Sequence, residues 1–187
     1  MLVLIAGVSA SGKNTIIQNL IEKRDDIKML EYCSATTRPP RDTDKKFKNY
    51  VYLTDDQFKE HIKQGYFIEY EMVHGNFYGT IKSAFEKALR QKDIVYLKDI
   101  DVKGCQSLKK YFSDCDILTI FLDAPDIVLK QRLIERGDSG EQIKLRMSRN
   151  EFERSHKNGY DLIIENLKLD QTIKTILDAI DARKSKV

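Results

Sequence analysis

The stretch that decides the fold is LVLIAGVSASGKNTIIQNLI, residues 2–21, in which the chain changes character twice. It opens on a continuous apolar run from Leu2 to Ala6, passes through a glycine-bearing segment from Gly7 to Lys13, and continues with apolar residues at helical spacing. An unbroken apolar run predicts a strand that is buried on both faces, and the later spacing predicts a helix. We therefore predict a buried strand, a tight loop and a helix.

The loop between this strand and helix has the spacing of a phosphate-binding loop (P-loop), because four residues separate Gly7 from Gly12 and Lys13 follows directly. Glycines allow backbone N–H groups to curl around phosphate oxygens, the helix N-terminus adds a positive dipole, and the lysine adds a point charge. An ordinary glycine-rich turn is the alternative. The position directly after a buried strand favours phosphate binding.

The residue after Lys13 departs from this motif. It is Asn14, where such loops have a serine or threonine whose hydroxyl coordinates Mg²⁺. An asparagine carbonyl oxygen is a possible ligand for a hard cation, so Asn14 is a candidate metal ligand. Thr15 cannot take over that position, because one step along a helix turns a side chain by about 100 degrees.

Three further apolar runs are each followed by a helical pattern. These runs are residues 94–97, 117–122 and 162–164, and the predicted helices are residues 103–111, 126–136, 141–157 and 169–183. Strands that alternate with helices pair in parallel. We predict an α/β fold in which helices cover both faces of a parallel sheet and its strands are buried on both faces.

The composition is that of one compact domain: 187 residues, 41% hydrophobic and 33% charged, with a net charge of +3. It excludes a disordered tail protein. Basic and acidic residues are interleaved, so we expect no nucleic acid partner, and no apolar run is long enough for a membrane span or a signal peptide. We expect a cytoplasmic protein in which Cys33, Cys105 and Cys115 are reduced and bind no zinc.

Two segments depart from the strand–helix rhythm. Residues 34–86 are rich in Tyr, Arg, Lys, Asp and Thr and alternate weakly, as a half-exposed sheet would, which predicts an inserted lobe with a binding surface. Residues 136–157 begin with a glycine-bearing piece between two helical patterns, which is typical of a mobile lid. The core is then left with residues 1–33, 87–135 and 158–187.

The insertion begins with SATTRPPR, residues 34–41, in which two prolines stiffen a loop that carries two arginines. Paired guanidinium groups suit a phosphate monoester, although either arginine alone would indicate only a solvated basic loop. Tyr50, Glu69 and residues 75–80 follow. They supply phenolic hydroxyls for a phosphate, and a carboxylate and small hydroxyls for a nucleobase edge.

Together these segments resemble the guanylate kinases, the P-loop nucleoside monophosphate kinases that phosphorylate GMP with ATP. The matching blocks, in family order, are the P-loop, SATTRPPR at 34–41, FIEYEMVHGNFYGT at 67–80, KDIDVKG at 98–104, RLIERG at 132–137 and NGYDLIIEN at 158–166. The resemblance covers essentially the whole chain. It implies a P-loop NTPase-like sheet, a GMP-binding insertion at 34–86, a small lid at 136–157, and ATP, GMP and Mg²⁺ as ligands.

The resemblance also implies roles for individual residues. The ATP site would comprise Gly7, Ser9, Ala10, Ser11, Gly12, Lys13, Asn14, Thr15, Arg132, Arg136 and Asn166. Arg38, Arg41, Tyr50 and Tyr78 would hold the GMP phosphate, and Ser34, Glu69, Thr80 and Asp101 would bind guanine. Gly79 and Asp99 would also belong to the GMP site. Lys13, Arg41, Arg136 and Arg146 would neutralise the migrating phosphoryl charge.

The chemistry of several side chains agrees with these roles. Guanine presents N–H donors where adenine presents an acceptor, so the acceptor Glu69 favours guanine. Asp99 and Asp101 end an apolar run, at the edge where parallel sheets bind ligands, and Asp99 is a second candidate metal ligand. Aspartates at strand ends are also common turn formers. We expect Arg149 and Arg154 to lie on a solvated helix face.

Some positions differ from the family pattern. Both glycines expected between Arg41 and Tyr50 are missing, the lid is one residue short, and Lys103 replaces a glutamine. These departures, with Asn14, keep open the alternative of a catalytically impaired domain that binds GMP or a phosphorylated peptide. A related kinase with another phosphorylated substrate is disfavoured by the complete guanine-facing set. The protein is expected to be a monomer or a homodimer.

Overall fold

A computed structural model describes residues 1–40, 48–73 and 75–185, and the statements below concern these residues. In chain order, the elements are β1 (Leu2–Gly7), α1 (Lys13–Lys23), β2 (Ile27–Met29), β3 (Ser34–Thr36), β4 (Tyr50–Tyr52), α2 (Asp55–Lys63), β5 (Phe67–Val73), β6 (Asn76–Ile81), α3 (Lys82–Arg90), β7 (Val95–Asp99), α4 (Val102–Tyr111), β8 (Ile117–Asp123), α5 (Asp126–Glu135), α6 (Gly140–Ser155), a 3₁₀ turn (Lys157–Gly159), β9 (Leu162–Glu165) and α7 (Leu169–Lys184).

The central sheet has five parallel strands in the order β2-β7-β1-β8-β9. Its middle strand, β1, is fully buried, because alternate residues pack on opposite faces. Val3 and Ile5 pack with α1 and α7, whereas Leu2 and Leu4 pack with Phe85 and with α4. The α/β fold predicted from the sequence, with helices on both faces of a parallel sheet, is confirmed.

The prediction of complete burial is wrong for the last strand, β9. It is an edge strand with β8 as its neighbour, and its residues alternate between half-buried and exposed. Ile163 is 45% exposed, in keeping with a strand that has a neighbour on one side only. An apolar run marked the strand correctly, but its place in the sheet decided its burial.

The second sheet lies in the segment predicted as an insertion and has the order β4-β3-β6-β5. Strands β3 and β4 pair in parallel, and the other two pairings are antiparallel. Helix α2 covers the sheet with Phe58, whose ring stacks 4.4 Å from that of Phe67 and 5.1 Å from that of Phe77. The sequence pattern predicted the sheet but neither α2 nor α3.

The helices that follow this segment begin and end within two residues of the predicted bounds. The short strand β2 was not predicted. Within the described part of the chain, no helix combines the length and apolar character needed to cross a bilayer. All three cysteines are free, as expected, with Cys33 and Cys105 buried and Cys115 exposed.

Candidate active site

The predicted phosphate-binding loop lies at the carboxyl end of β1 and requires both of its glycines. A Cβ on Gly7 would lie 2.1 Å from the backbone oxygen of Leu122 in β8, and Gly7 has a φ of +145°. A Cβ on Gly12, with a φ of +94°, would lie 2.6 Å from Nδ2 of Asn166. The loop therefore packs directly against two neighbouring segments, with no room for a side chain at either end.

The lysine of the loop folds back over the loop itself. Nζ of Lys13 donates to the backbone oxygens of Gly7 at 2.6 Å and Val8 at 3.1 Å. Burial lowers the pKa of Lys13, whereas the charges of Glu153 and Asp99 oppose that shift. A bound phosphate would offer the ammonium a charged acceptor in place of two neutral carbonyls.

Two residues predicted as ATP contacts form hydrogen bonds with the backbone in and around the phosphate-binding loop. Asn166 is 5% exposed, donates through Nδ2 to the backbone oxygen of Ser11 at 2.8 Å, and accepts from Oγ1 of Thr172 at 2.9 Å. Arg132 donates to the backbone oxygens of Ala10 at 3.2 Å and Asn166 at 2.7 Å. Both side chains therefore bind the backbone of the loop and its surroundings.

Helix α6 contributes two loop-side residues that were not predicted. Oδ1 of Asn150, a buried residue, accepts from the backbone N–H of Ser9 at 3.0 Å. Glu153 lies near the charge of Lys13, and burial raises the pKa of this carboxyl group. The local sequence around these two residues gave no signal for a site.

The metal candidates differ in their surroundings. Asn14 and Thr15 are exposed at the start of α1. Oδ1 of Asp99 is buried and accepts no hydrogen bond from any described residue, although Nζ of Lys98 lies 3.7 Å away. Oδ1 of Asp101 accepts from the backbone N–H of Gly104 at 2.8 Å and thereby caps the start of α4. Asp101 therefore has the structural role at a strand end that the sequence offered as an alternative to ligand binding.

A cavity of about 540 Å³ lies between the second sheet and the ends of β7 and α4. Eight residues predicted for the GMP site line this cavity: Ser34, Tyr50, Glu69, Tyr78, Gly79, Thr80, Asp99 and Asp101. Glu69 and Thr80 face each other across β5 and β6, and Oγ1 of Thr80 donates to Oε1 of Glu69 at 3.3 Å. Lys98, Lys103 and Ser107 line it as well and were not predicted.

Arg38 lies beside Tyr50, which lines this cavity. Its guanidinium carbon is 5.1 Å from the centre of the Tyr50 ring, and its Nη1 donates to the backbone oxygen of Pro39 at 2.8 Å. Burial raises the pKa of the Tyr50 phenol, against the effect of Lys98 and Arg38. The predicted phosphate contact Arg41 lies outside the described residues.

Lys98 is a buried cation in the cavity wall, 8% exposed. Burial alone would lower its pKa, but the surrounding Cys33, Asp99 and Tyr50 outweigh burial and raise it. The ammonium group is thus held in its charged form. Lys98 begins the block at 98–104 that resembles the guanylate kinases, but that block assigned no role to it.

The two predicted lid arginines meet on one carboxylate. Arg136, at the end of α5, binds Asp138, and Nε of Arg146 in α6 lies 3.7 Å from Oδ2 of the same residue. Both arginines are about half exposed, whereas the Asp138 side chain is 12% exposed. The nine residues between the arginines therefore fold so that both guanidinium groups face one anion.

The solvated-face prediction for Arg154 is wrong. Its Nε donates to both carboxylate oxygens of Asp123 at 3.0 Å, its Nη2 donates to the backbone oxygen of Ala124 at 2.9 Å, and Nη1 lies 2.7 Å from Asp126. The arginine joins α6 to the end of β8 and the start of α5, which lie far away in sequence. Arg149, by contrast, is exposed as predicted.

Comparison with known proteins extends the match from single residues to the whole chain. A family model described as guanylate kinase matches residues 1–183. The guanylate kinase of Rickettsia felis is 36% identical over 189 residues, covering 100% of this chain and 95% of that protein, and the one of Porphyromonas gingivalis is 37% identical over 183 residues, covering 96% and 95%.

A solved structure agrees with this result. The crystal structure of guanylate kinase from Anaplasma phagocytophilum superposes with a TM-score of 0.69 at 26% identity, covering 98% of this chain and 85% of that one. The match thus includes both the loop that holds Lys13 and the cavity that holds Glu69. A chain that is similar to these proteins over its whole length belongs to the guanylate kinase family.

Proposed function

We propose that this protein transfers the γ-phosphoryl group of ATP to the phosphate of GMP. An oxygen of the GMP phosphate attacks the γ-phosphorus, the bond to the β-phosphate oxygen breaks, and ADP and GDP leave. One observation carries the proposal: Asp99 lines the cavity that holds Glu69 and also pairs in register with Ile5 of β1, two residues before Gly7 of the phosphate-binding loop. The ATP site at the phosphate-binding loop and the GMP site in the cavity therefore adjoin at the carboxylate of Asp99.

The donor site in this proposal is the P-loop. Its backbone N–H groups and the start of α1 bind the ATP phosphates, and Lys13 exchanges its two carbonyl partners for phosphate oxygens. Arg132, Asn150 and Asn166 hold the backbone of the loop in place. Such preorganisation matters because phosphoryl transfer depends on positioning and charge neutralisation.

The acceptor site is the cavity. Arg38, Tyr50 and Tyr78, with Arg41, bind the GMP phosphate. Ser34, Glu69, Thr80 and Asp101 bind the guanine edge, where Glu69 accepts from the base N–H groups. The hydrogen bond from Thr80 to one oxygen of Glu69 leaves the second oxygen for the base.

The lid in this proposal comprises residues 136–157, next to a core of residues 1–33, 87–135 and 158–187 and an acceptor lobe of residues 34–86. Arg136 and Arg146 leave Asp138 when ATP binds and neutralise the phosphates instead. Closure also excludes water, which would otherwise attack ATP.

Mg²⁺ enters this proposal together with ATP. The described residues contain no group of three or more His, Cys, Asp or Glu that could hold a metal ion alone. An ion that arrives on phosphates needs only one or two protein ligands, and the buried Oδ1 of Asp99 and the exposed amide of Asn14 suit that need. When bound, the ion neutralises phosphate charge. The proposal also includes a cytoplasmic location and a monomer or homodimer.

The test is ADP formation from ATP and Mg²⁺ with GMP, AMP, CMP or UMP supplied separately. We expect ADP only with GMP, a loss of most activity in Lys13→Met, and a raised KM for GMP in Glu69→Gln, which keeps the shape of the side chain. ADP formation with another nucleotide would contradict the acceptor assignment. GMP binding without ADP formation would support the impaired alternative, with Asn14→Ser as the first variant to test for rescue.

A further inference from the structure

We infer that Lys98 is an additional cation of the acceptor site, and that its ammonium group binds the phosphate of GMP. This inference rests on the proposed binding of GMP in the cavity. It adds a residue from the central sheet to a phosphate site whose described members Arg38, Tyr50 and Tyr78 come from the second sheet and the loop after β3.

The first support for the inference is the position of Lys98. It is the fourth residue of β7, opposite Leu4 of β1, and it lines the cavity although it is 8% exposed. Lysine is rarely buried to this degree, because removing its charge from water is costly, and here Cys33, Asp99 and Tyr50 offset that cost. Its place in the cavity wall gives that cost a functional reason.

The partners of Lys98 leave room for a stronger acceptor. Oδ1 of Asp99 is 3.7 Å from Nζ, which is beyond hydrogen-bond distance, and the neighbouring Cys33 thiol is only a weak acceptor. An ammonium group has three N–H donors. A phosphate oxygen would provide the short, charge-assisted contact that neither neighbour makes.

The neighbourhood identifies the phosphate, rather than the base, as the ligand. Tyr50 lies in the electrostatic field of both Lys98 and Arg38, and the Arg38 guanidinium lies over the Tyr50 ring. Lys98 and Tyr50 thus line one cavity, and Arg38 adjoins it by packing on the Tyr50 ring. Glu69 and Thr80, whose acceptor and hydroxyl groups suit guanine, pair with each other on β5 and β6.

Calorimetric titration with GMP and with guanosine distinguishes the contribution of the phosphate to binding from that of the nucleoside. In Lys98→Met, which keeps the length of the side chain, we expect GMP affinity to fall by about ten- to a hundredfold, because a charge-assisted hydrogen bond is lost. We expect guanosine affinity to change less than about twofold. Lys110→Met, which removes the same charge from an exposed position on α4, should bind both ligands as the unmodified protein does.

An equal loss for GMP and guanosine, or no loss for either, would overturn the inference. If Lys98→Met does not fold, Lys98→Gln takes its place, and lysine resonances of the isotope-labelled unmodified protein provide a second test. The buried lysine signal should then shift with GMP and not with guanosine, and the opposite result would overturn the inference. If the unmodified protein does not bind GMP at all, the proposed function fails instead.

Discussion

Nδ2 of Asn166 donates to the backbone oxygen of Ser11 at 2.8 Å, so a residue at the end of β9 holds the phosphate-binding loop from 155 positions away. The other end of the same amide accepts from Thr172 in α7. Asn166 thus links the loop, the edge strand and the last helix. The shape of the loop depends on this link as well as on its own glycines.

Asn166→Ala should therefore weaken both the fold and the donor site. We expect a loss of about 1–3 kcal/mol in the free energy of unfolding, since buried partners lose their hydrogen bonds. The KM for ATP should rise more than the KM for GMP. Urea unfolding and initial-rate kinetics measure the two effects, with Asn158→Ala at an exposed position as the control. Equal increases in both KM values would contradict a role at the donor site.

Gly12→Ala should abolish most activity, because its Cβ would lie 2.6 Å from Nδ2 of Asn166 at a φ of +94°. The matched control is Gly65→Ala, which has a φ of +65° and no atom within 4 Å of its Cβ. That control should lose about 1 kcal/mol of stability from backbone strain alone and keep its activity. Steady-state rates and thermal unfolding of both variants test this contrast. Similar activity in the two would show that the contact with Asn166 is unimportant.

Asp138→Asn should strengthen ATP binding, because Arg136 and Arg146 would no longer have to leave a carboxylate. These ion pairs are partly exposed, so we expect only about a two- to fivefold decrease in the Kd for ATP. Titration of ATP against both proteins at low and moderate salt measures the effect. Weaker ATP binding in the variant would mean that Asp138 orients the arginines for ATP rather than competing with it.

Acid sensitivity should depend in part on Asp26, whose Oδ2 lies 2.7 Å from both Nη2 of Arg24 and Nζ of Lys184. These cations, Arg24 foremost, lower the pKa of Asp26 in the folded protein. A carboxylate with a lowered pKa stabilises the fold above its unfolded pKa of about 3.9, and that contribution is lost as the pH falls below about 4.

Asp26→Asn should accordingly be less stable than the unmodified protein at pH 7 and lose less stability between pH 7 and pH 3. Urea midpoints at both pH values provide the measurement. Asp25→Asn, at the exposed neighbouring position, is the control for the loss of one charge. A variant that loses as much stability on acidification as the unmodified protein would disprove the contribution of this cluster.

Local patterns predicted the central fold because each of its strands and helices has a hydrophobic pattern within a short stretch of sequence. The run from Leu2 to Ala6 and the spacing after Lys13 predicted β1 and α1, and helical spacing located the later helices. The sequence also contains a signal for the start of α2, because Thr54 and Gln57 form a capping box there. Helix α3 begins directly after β6 without such a side-chain cap.

The motifs also determined which side chains form most of the candidate site, because a P-loop and a set of base-edge groups are defined by residue type and order. Only the tertiary structure decided that Asp99 adjoins both sites, that Lys98 lies in the cavity wall and that Arg154 binds Asp123. The physical reason is that sequence periodicity assigns a residue to a face of its own element. Which element covers that face, and therefore which charges meet there, depends on how strands and helices distant in sequence pack together.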